Sequence, residues 1–431
     1  ARLLGARAGG STDLPARQPH KVIQCFDVGP LKKTQNACFV ATPSVGDIVA
    51  AASALFREPH GAHQLCICLA EKDAPELDDL QQALVDGPLD FIGGLFPSVL
   101  FDGQRYDVGA VIFSFPCKVK PLLVTGLHLD RPDVSLPPDW RAFLSSGVTV
   151  AGQGTGRAQA TALVLVDGLC RNVGGFLRGL HDGLGNNVGY WGGGAGSLSL
   201  QQRPCVFGPQ GVYQDAAWVA LCSAPSALGV RHGWREIMGP LVATRTDGNR
   251  ILELNWQAAF DVYKGAVEGD SGLALSRAGF FEIAKGYPFG LRKEGAEAVV
   301  RDPIAVDEHG ALVCVGEVPE NAVLSILKGE ARALTAAARQ AAAEARRDGP
   351  AGASLCLVAD CISRAIFLQD GFVEELAALM APFADDPKPP MMVGALTLGE
   401  ISSQGLGYLE FFNKTAVVAL LGGDVSTSGE G

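Results

Sequence analysis

The sequence predicts a mixed α+β chain of two domains, with repeated β-α-β-β units forming mixed sheets flanked by helices. Three observations carry this. A unit of apolar strand, amphipathic helix and glycine-ended apolar strand occurs three times. Each copy closes on a further apolar strand. A region of different pattern separates the second copy from the third.

The elements follow in chain order. Residues 1–20 hold Arg2, Arg7 and Arg17 among several Gly and Pro and no apolar h-region. They read as a disordered lead-in, not a secretory signal. The first unit starts with the strand 64–69 and reaches Phe91-Ile92-Gly93-Gly94, then the strand 110–115. The second starts with 162–166, reaches Tyr190-Trp191-Gly192-Gly193-Gly194 and closes with 216–221. Between its strands, Val173, Phe176, Leu177, Leu180 and Leu184 recur at helical spacing. The third runs from 354–358 through Met392-Val393-Gly394-Ala395 to 416–421. Its helix carries Ile362, Ile366, Phe372, Val373, Leu376, Leu379 and Met380 on one face, with Asp360 or Ser363 as cap and Pro382 beyond its end.

The intervening region alternates at period two over 249–255, as a half-buried strand does. A helix is expected over 258–267, strands at 298–300 and 311–315 around the turn 307–310, and an Ala-rich helix over 330–347. We place the domains at 21–247 and 248–421, with a flexible tail at 422–431. Weaker linkers are expected at 130–138 and 385–390.

Composition narrows the function. The 431 residues carry 35 Lys plus Arg against 46 Asp plus Glu, a net charge of −11. That balance opposes nonspecific nucleic-acid binding, which needs cations to neutralise phosphates. No run approaches the ~18 apolar residues of a membrane helix. An apolar share of 48% is too high for a disordered chain. Glycine reaches 54 residues without a G-x-y period, which excludes collagen and leaves the excess to be placed. The 11 Cys are odd in number and contain no CxxC, so they read as reduced thiols of a cytosolic protein. Cys66 and Cys68 share one side of a strand and are expected in the core.

Catalytic signatures fail. There is no GxxxxGK[ST] loop, no HExxH and no GxSxG. The run from Gly192 to Ser197 approaches GxGxxG but ends in Ser and leads into Leu-Ser-Leu rather than a helix. Gly269-Asp270-Ser271-Gly272 echoes a serine-protease nucleophile loop, but no His has the context of a triad base. It reads as an acidic turn.

The glycine strand ends are the candidate binding site. Aligned on Gly93, Gly192 and Gly394, the copies reach Ser98, Ser197 and Gly399-Glu400 at matched distances. Glycine lets a ligand approach the backbone, or lets strands pack tightly; both readings stand. Trp191, Gly192, Gly193, Gly194 and Ser197 are therefore candidate ligand-binding residues. Lys285, Tyr287 and Arg301 are further candidates, the cations as carboxylate clamps or as ordinary surface ion pairs. Glu400 would hold an ammonium group. His181, at the edge of an apolar helix face, and His232, beside Trp234, are the candidate haem ligands; the bland reading of each is a half-buried structural histidine. No pair of His is spaced for zinc.

Together these stretches resemble the FIST family of sensory domains, over residues 44–421. The first half resembles the FIST N-terminal domain through Phe91–Gly94, Tyr190–Leu198 and Asp215–Val219. The second resembles the FIST C-terminal domain through Gly248–Asn255, Gly286–Gly290, Val300–Pro303 and Gly394–Ile401. The resemblance implies a stand-alone cytoplasmic sensor that binds a small ligand such as an amino acid. It implies a separate output partner, such as a sensor histidine kinase or a cyclic-dinucleotide enzyme, with no nucleic acid and no membrane involved. Some stand-alone relatives resemble nitric-oxide-sensing haem proteins, so haem is the alternative occupant. An enzyme of unassigned type is the third reading.

Overall fold

A computed structural model describes residues 31–56, 63–87, 89–145, 160–186, 188–293, 297–404 and 408–422. The expected lead-in at 1–20 and the tail beyond 422 lie outside these residues.

The three units are present, each larger than its apolar pattern suggested. The first comprises an opening strand Ala37–Val40, helix Val45–Phe56, strand His63–Ala70, helix Leu77–Val85, glycine strand Phe91–Phe96, a hairpin Ser98–Phe101 and Gln104–Tyr106, and last strand Ala110–Pro116. The second repeats this order: Leu122–Thr125, Pro138–Ser145, Ala160–Asp167, Val173–Leu184, Val188–Ala195, hairpin Val206–Gly208 and Gly211–Tyr213, and Ala216–Cys222. The third has Ser226–Arg231, Ala331–Asp348, Leu355–Cys361, two helices Ile362–Leu368 and Phe372–Met380, Met391–Thr397, hairpin Glu400–Gln404 and Tyr408–Phe412, and Ala416–Leu421.

In every unit the first long strand lies between its parallel glycine strand and its antiparallel last strand. Ile67 faces Gly93 and Ile112, Val164 faces Gly192 and Val219, and Val358 faces Gly394 and Val418. Gly93, Gly192 and Gly394 thus hold one register position, as their alignment in the sequence anticipated. These strands are buried on both faces, which is why they read as continuous apolar runs without alternation.

The hairpins do not stay with their own units. The first unit's hairpin adds to the third sheet, pairing Leu100 with Gly394. The second unit's adds to the first sheet, pairing Phe207 with Gly93. The third unit's adds to the second, pairing Ile401 with Gly192 and Glu400 with Gly193. This cyclic exchange ties the three sheets together. A Cβ on Gly192 would lie 1.9 Å from the Val164 carbonyl oxygen, and one on Gly394 1.8 Å from that of Val358. Only glycine tolerates that approach between strands.

The region of different pattern is an insertion in the third unit, between Ser226–Arg231 and Ala331–Asp348. Its strands Arg235–Asp247, Arg250–Leu254, Phe289–Leu291, Val299–Val306, Leu312–Val315 and Val323–Lys328 are antiparallel. Arg235–Asp247 pairs with both Arg250–Leu254 and Val323–Lys328, so the sheet closes into a six-stranded barrel without open edges. The helix Ala259–Ser271 covers one side and buries Tyr263 against Phe280 and Phe289. The expected boundary at 247/248 falls on the turn between the barrel's first two strands. No described helix is long and apolar enough to cross a membrane.

Candidate functional site

Two places gather polar side chains from distant segments. One is a buried junction between the barrel and the third unit. The other is an open groove on the barrel.

The junction lies at the C-terminal ends of the parallel strands Leu355–Cys361 and Met391–Thr397. Ligands commonly bind beyond the carboxyl ends of such strands. The strand ends supply Asp360, Cys361 and Thr397, and the turn after them supplies Glu400. The following helices supply Ser363, Arg364 and Glu375. The loop before the last strand supplies Asn413, Lys414 and Thr415, and the barrel supplies Arg301 and Asp302. The charged members are all buried.

Arg364 is fully enclosed and organises the cluster. Its Nε and Nη2 donate to the two oxygens of Glu375, both at 2.8 Å. Nη1 donates to the carbonyls of His232 and Lys414, and Nη2 also to that of Leu334. Lys414 Nζ lies 3.0 Å from Asp302 Oδ2, donates to the Lys285 carbonyl and sits 4.9 Å from the centre of the Trp234 ring. Glu400 accepts from Thr397 Oγ1 at 2.9 Å and from the Thr415 amide at 3.2 Å.

Not every oxygen here is satisfied. Among the described residues, Oδ1 of Asp302 accepts no hydrogen bond, and the carboxyl oxygens of Asp360 meet no donor except the Glu375 carboxyl, with which Asp360 can share a proton. Burial raises the carboxyls of Asp360, Glu400 and Asp302. It pushes Asp360 well above the carboxylate range, aided by Glu375 and Glu400 nearby. It pushes Glu400 up to about 8 against the opposing bonds from Thr397, Cys361 and Thr415. Asp302 rises too, with Lys414 holding it down in part.

The predicted residues divide around this junction. Glu400 is in it, and the glycine strand abuts it. Gly193 is the register partner of Glu400, and the Gly194 amide donates to the Gly399 carbonyl at 2.8 Å. A Cβ on Gly193 would meet the Thr397 side chain at 2.5 Å, and one on Gly194 the Leu398 carbonyl at 2.3 Å. These glycines therefore seat the turn that carries Glu400. Trp191 is buried edge-on to Phe113, with no hydrogen-bond partner for its indole N–H among the described residues. Ser197 bonds Ser199 in the following loop. Ser98 donates to Asp107 Oδ1 at 2.7 Å in the first unit's hairpin.

Arg301 also reaches the junction, but its guanidinium donates to the backbone carbonyls of Glu317, Val300 and Phe411. Lys285 contributes its carbonyl, while its ammonium pairs with Glu282 at 2.9 Å. Tyr287 points elsewhere and donates to Asp270 Oδ2 at 2.7 Å, an oxygen that also binds Lys328. The two histidines do not converge. His181, in the second unit's helix, has Nε2 2.6 Å from Asn186 Oδ1 and packs against Tyr190. His232 leads into the barrel; burial lowers its affinity for a proton, and its Nδ1 accepts from the Trp234 amide. Among the described residues no group of three or more His, Cys, Asp or Glu is placed to hold a metal ion.

The groove has a volume of about 650 Å³ and runs between Arg235–Asp247 and the helix Ala259–Ser271, lined by Ile237, Met238, Leu241, Asp261, Val262 and Asp270 among others. Asp270, which binds Tyr287 and Lys328, is one of its lining residues.

Sequence reading passed over Arg364, Glu375 and Lys414, offered Asp302 as a surface partner of Arg301 where the structure buries it against Lys414, and took Asp360 or Ser363 for a helix cap. The helix is instead preceded by Cys361 with no side-chain cap. A usable signal existed. Asp360 and Arg364 stand four apart, and Lys414 interrupts an apolar run, so each charge is forced inside by its neighbours.

A family model described as the FIST N domain matches residues 64–257, and one described as the FIST C domain matches residues 259–403. No curated protein matches the chain.

Proposed function

The chain belongs to the FIST family, and from that premise we propose that it senses a small ligand at the junction of barrel and third unit, the ligand being an amino acid. FIST domains are associated with small-ligand sensing and signal transduction, and are sensory rather than catalytic. One observation carries the placement. Charged side chains from the barrel, the strand ends and the 413–415 loop converge in a buried seam, and there Asp302 Oδ1 has no partner and Asp360 meets only another carboxyl, that of Glu375. Unpaired buried polar atoms are costly, so such a group is a candidate for a ligand contact.

In this reading Glu400 and its neighbours face the ammonium, and Arg301 meets the carboxylate by giving up a backbone carbonyl. The ligand then binds groups of the barrel and of the third unit at once, and favours one arrangement of the two over others. A ligand that shifts that equilibrium transmits a signal; one with equal affinity for both arrangements transmits none. The output passes to a separate protein, such as a sensor histidine kinase or a cyclic-dinucleotide enzyme, in the cytoplasm.

A thermal-shift screen of free amino acids and common metabolites tests the reading. A ligand at 100 times its Kd stabilises by roughly 2.7 kcal/mol, a readily measured rise in melting temperature. A screen in which no amino acid raises it would sink the proposal. Loss of the response in Glu400→Gln would support the site.

A further inference from the structure

We propose that Asp360 is the receptor for a primary ammonium group, and that the cation displaces a proton held by the junction carboxyls in the free protein. The inference rests on the sensor reading and names the chemistry of its ligand.

The argument is a count of donors and charges. A guanidinium has five N–H donors. Arg364 spends one on Glu375 from Nε, two from Nη1 on the carbonyls of His232 and Lys414, and two from Nη2 on Leu334 and Glu375. None remains for Asp360, although its Oδ1 lies 3.3 Å from Arg364 Nε. Lys414 is committed to Asp302 and to the Lys285 carbonyl. The neighbouring imidazole, His232, is kept neutral by burial. The Cys361 thiol bonds Glu400, not Asp360, and burial keeps it protonated.

The charges tell the same story. Asp360, Glu375 and Glu400 are three carboxyls around one guanidinium, all fully buried. Fully ionised, the group would carry two uncompensated negative charges away from water, which proteins avoid by protonation or by pairing. In the free protein Asp360 and Glu400 hold protons. A primary ammonium brings one positive charge and three donors in a small volume. It donates to both oxygens of Asp360, which otherwise meet only the Glu375 carboxyl, and removes the reason for the proton the two acids share. Alkali cations bring charge without donors, and a carboxylate ligand adds to the excess.

The probe is methylammonium chloride, with potassium chloride and sodium acetate at matched ionic strength, and glycine and N-acetylglycine as the amino-acid pair. Infrared difference spectra of the wild-type protein read the protonation state directly. Methylammonium should raise the melting temperature and remove a protonated-carboxyl band; potassium and acetate should do neither. In Asp360→Asn that band change should vanish and methylammonium should bind at least tenfold more weakly. If the variant does not fold, the wild-type spectra decide alone. A methylammonium response without loss of a protonated carboxyl overturns the assignment, as does an equal response to potassium. If amino acids stabilise the protein and N-acetylglycine does as well as glycine, the sensor reading survives and Asp360 is not its ammonium receptor. If no amino acid acts while methylammonium does, the sensor reading fails and the cation site stands.

Discussion

Gly192→Ala isolates the role of the matched glycines. Ordinary contact begins near 3.4 Å, and the new Cβ would lie 1.9 Å from the Val164 carbonyl oxygen, a deficit of 1.5 Å. The obstacle is backbone at the centre of a sheet, with the Ala160–Asp167 strand on one side and the exchanged hairpin on the other. A rotamer change cannot relieve it. The strands must separate locally, loosening one or two ladder bonds at ~1 kcal/mol each on top of an overpacking cost of ~1–3 kcal/mol. We expect a loss of about 2–5 kcal/mol, a large part of the ~5–15 kcal/mol that holds a typical domain. Differential scanning fluorimetry and urea titration followed by tryptophan emission measure it. Gly265→Ala is the control. It lies within the helix Ala259–Ser271 with nothing within 4 Å of the added methyl. Helix propensity alone should make it neutral to stabilising by ~1 kcal/mol. If Gly192→Ala melts with the wild type, close strand approach is not why glycine is there.

Three further outcomes are expected. Arg364→Met should destabilise by about 3–5 kcal/mol, because it strands Glu375 and Asp360 without their guanidinium, and adding Glu375→Leu should restore part of the loss; equilibrium denaturation of both variants checks this. The Glu400 carboxyl titrates at about 8 in the fold against 4.5 for the free side chain. The folded state therefore binds more protons between those values, so this group's contribution is complete below 4.5 and declines as pH rises through 8. Melting temperatures of wild type and Glu400→Gln from pH 5 to pH 9 should converge at the acidic end and separate at the alkaline end, the variant being the flatter. For the haem alternative, absorption spectra after haem reconstitution should show no Soret band that His181→Ala abolishes, since Nε2 of His181 is already hydrogen-bonded to Asn186; such a band would replace the ammonium reading.

Local pattern carried much of the fold. Helical spacing from Val173 to Leu184 yields the helix Val173–Leu184. The Ala-rich stretch yields Ala331–Asp348, and the turn at 307–310 joins the two barrel strands that flank it. The opening strand of each unit and the leading helices Val45–Phe56 and Pro138–Ser145 were missed; the strands are only four to six residues long. The barrel was legible only as scattered strands, since its closure depends on Arg235–Asp247 pairing on both sides. The site was half legible. Glu400 and the glycines were found because glycine at a strand end is conspicuous. Arg364 and Glu375 were not, because they sit on a helix where a charged residue ordinarily faces water.

By itself the sequence determined the three units, the family and the equivalence of Gly93, Gly192 and Gly394, because each follows from apolar spacing and from glycine's lack of a side chain. It also determined that the glycine excess is positional. Only the tertiary structure decided what those glycines face. Each lies against a strand borrowed from another unit, a pairing set by contacts up to hundreds of residues apart and invisible to any local period. The same exchange brings Glu400 to Gly193, and the barrel insertion closes the seam over Asp360. Neither charge is unusual in the chain; burial without enough donors is what makes them a site.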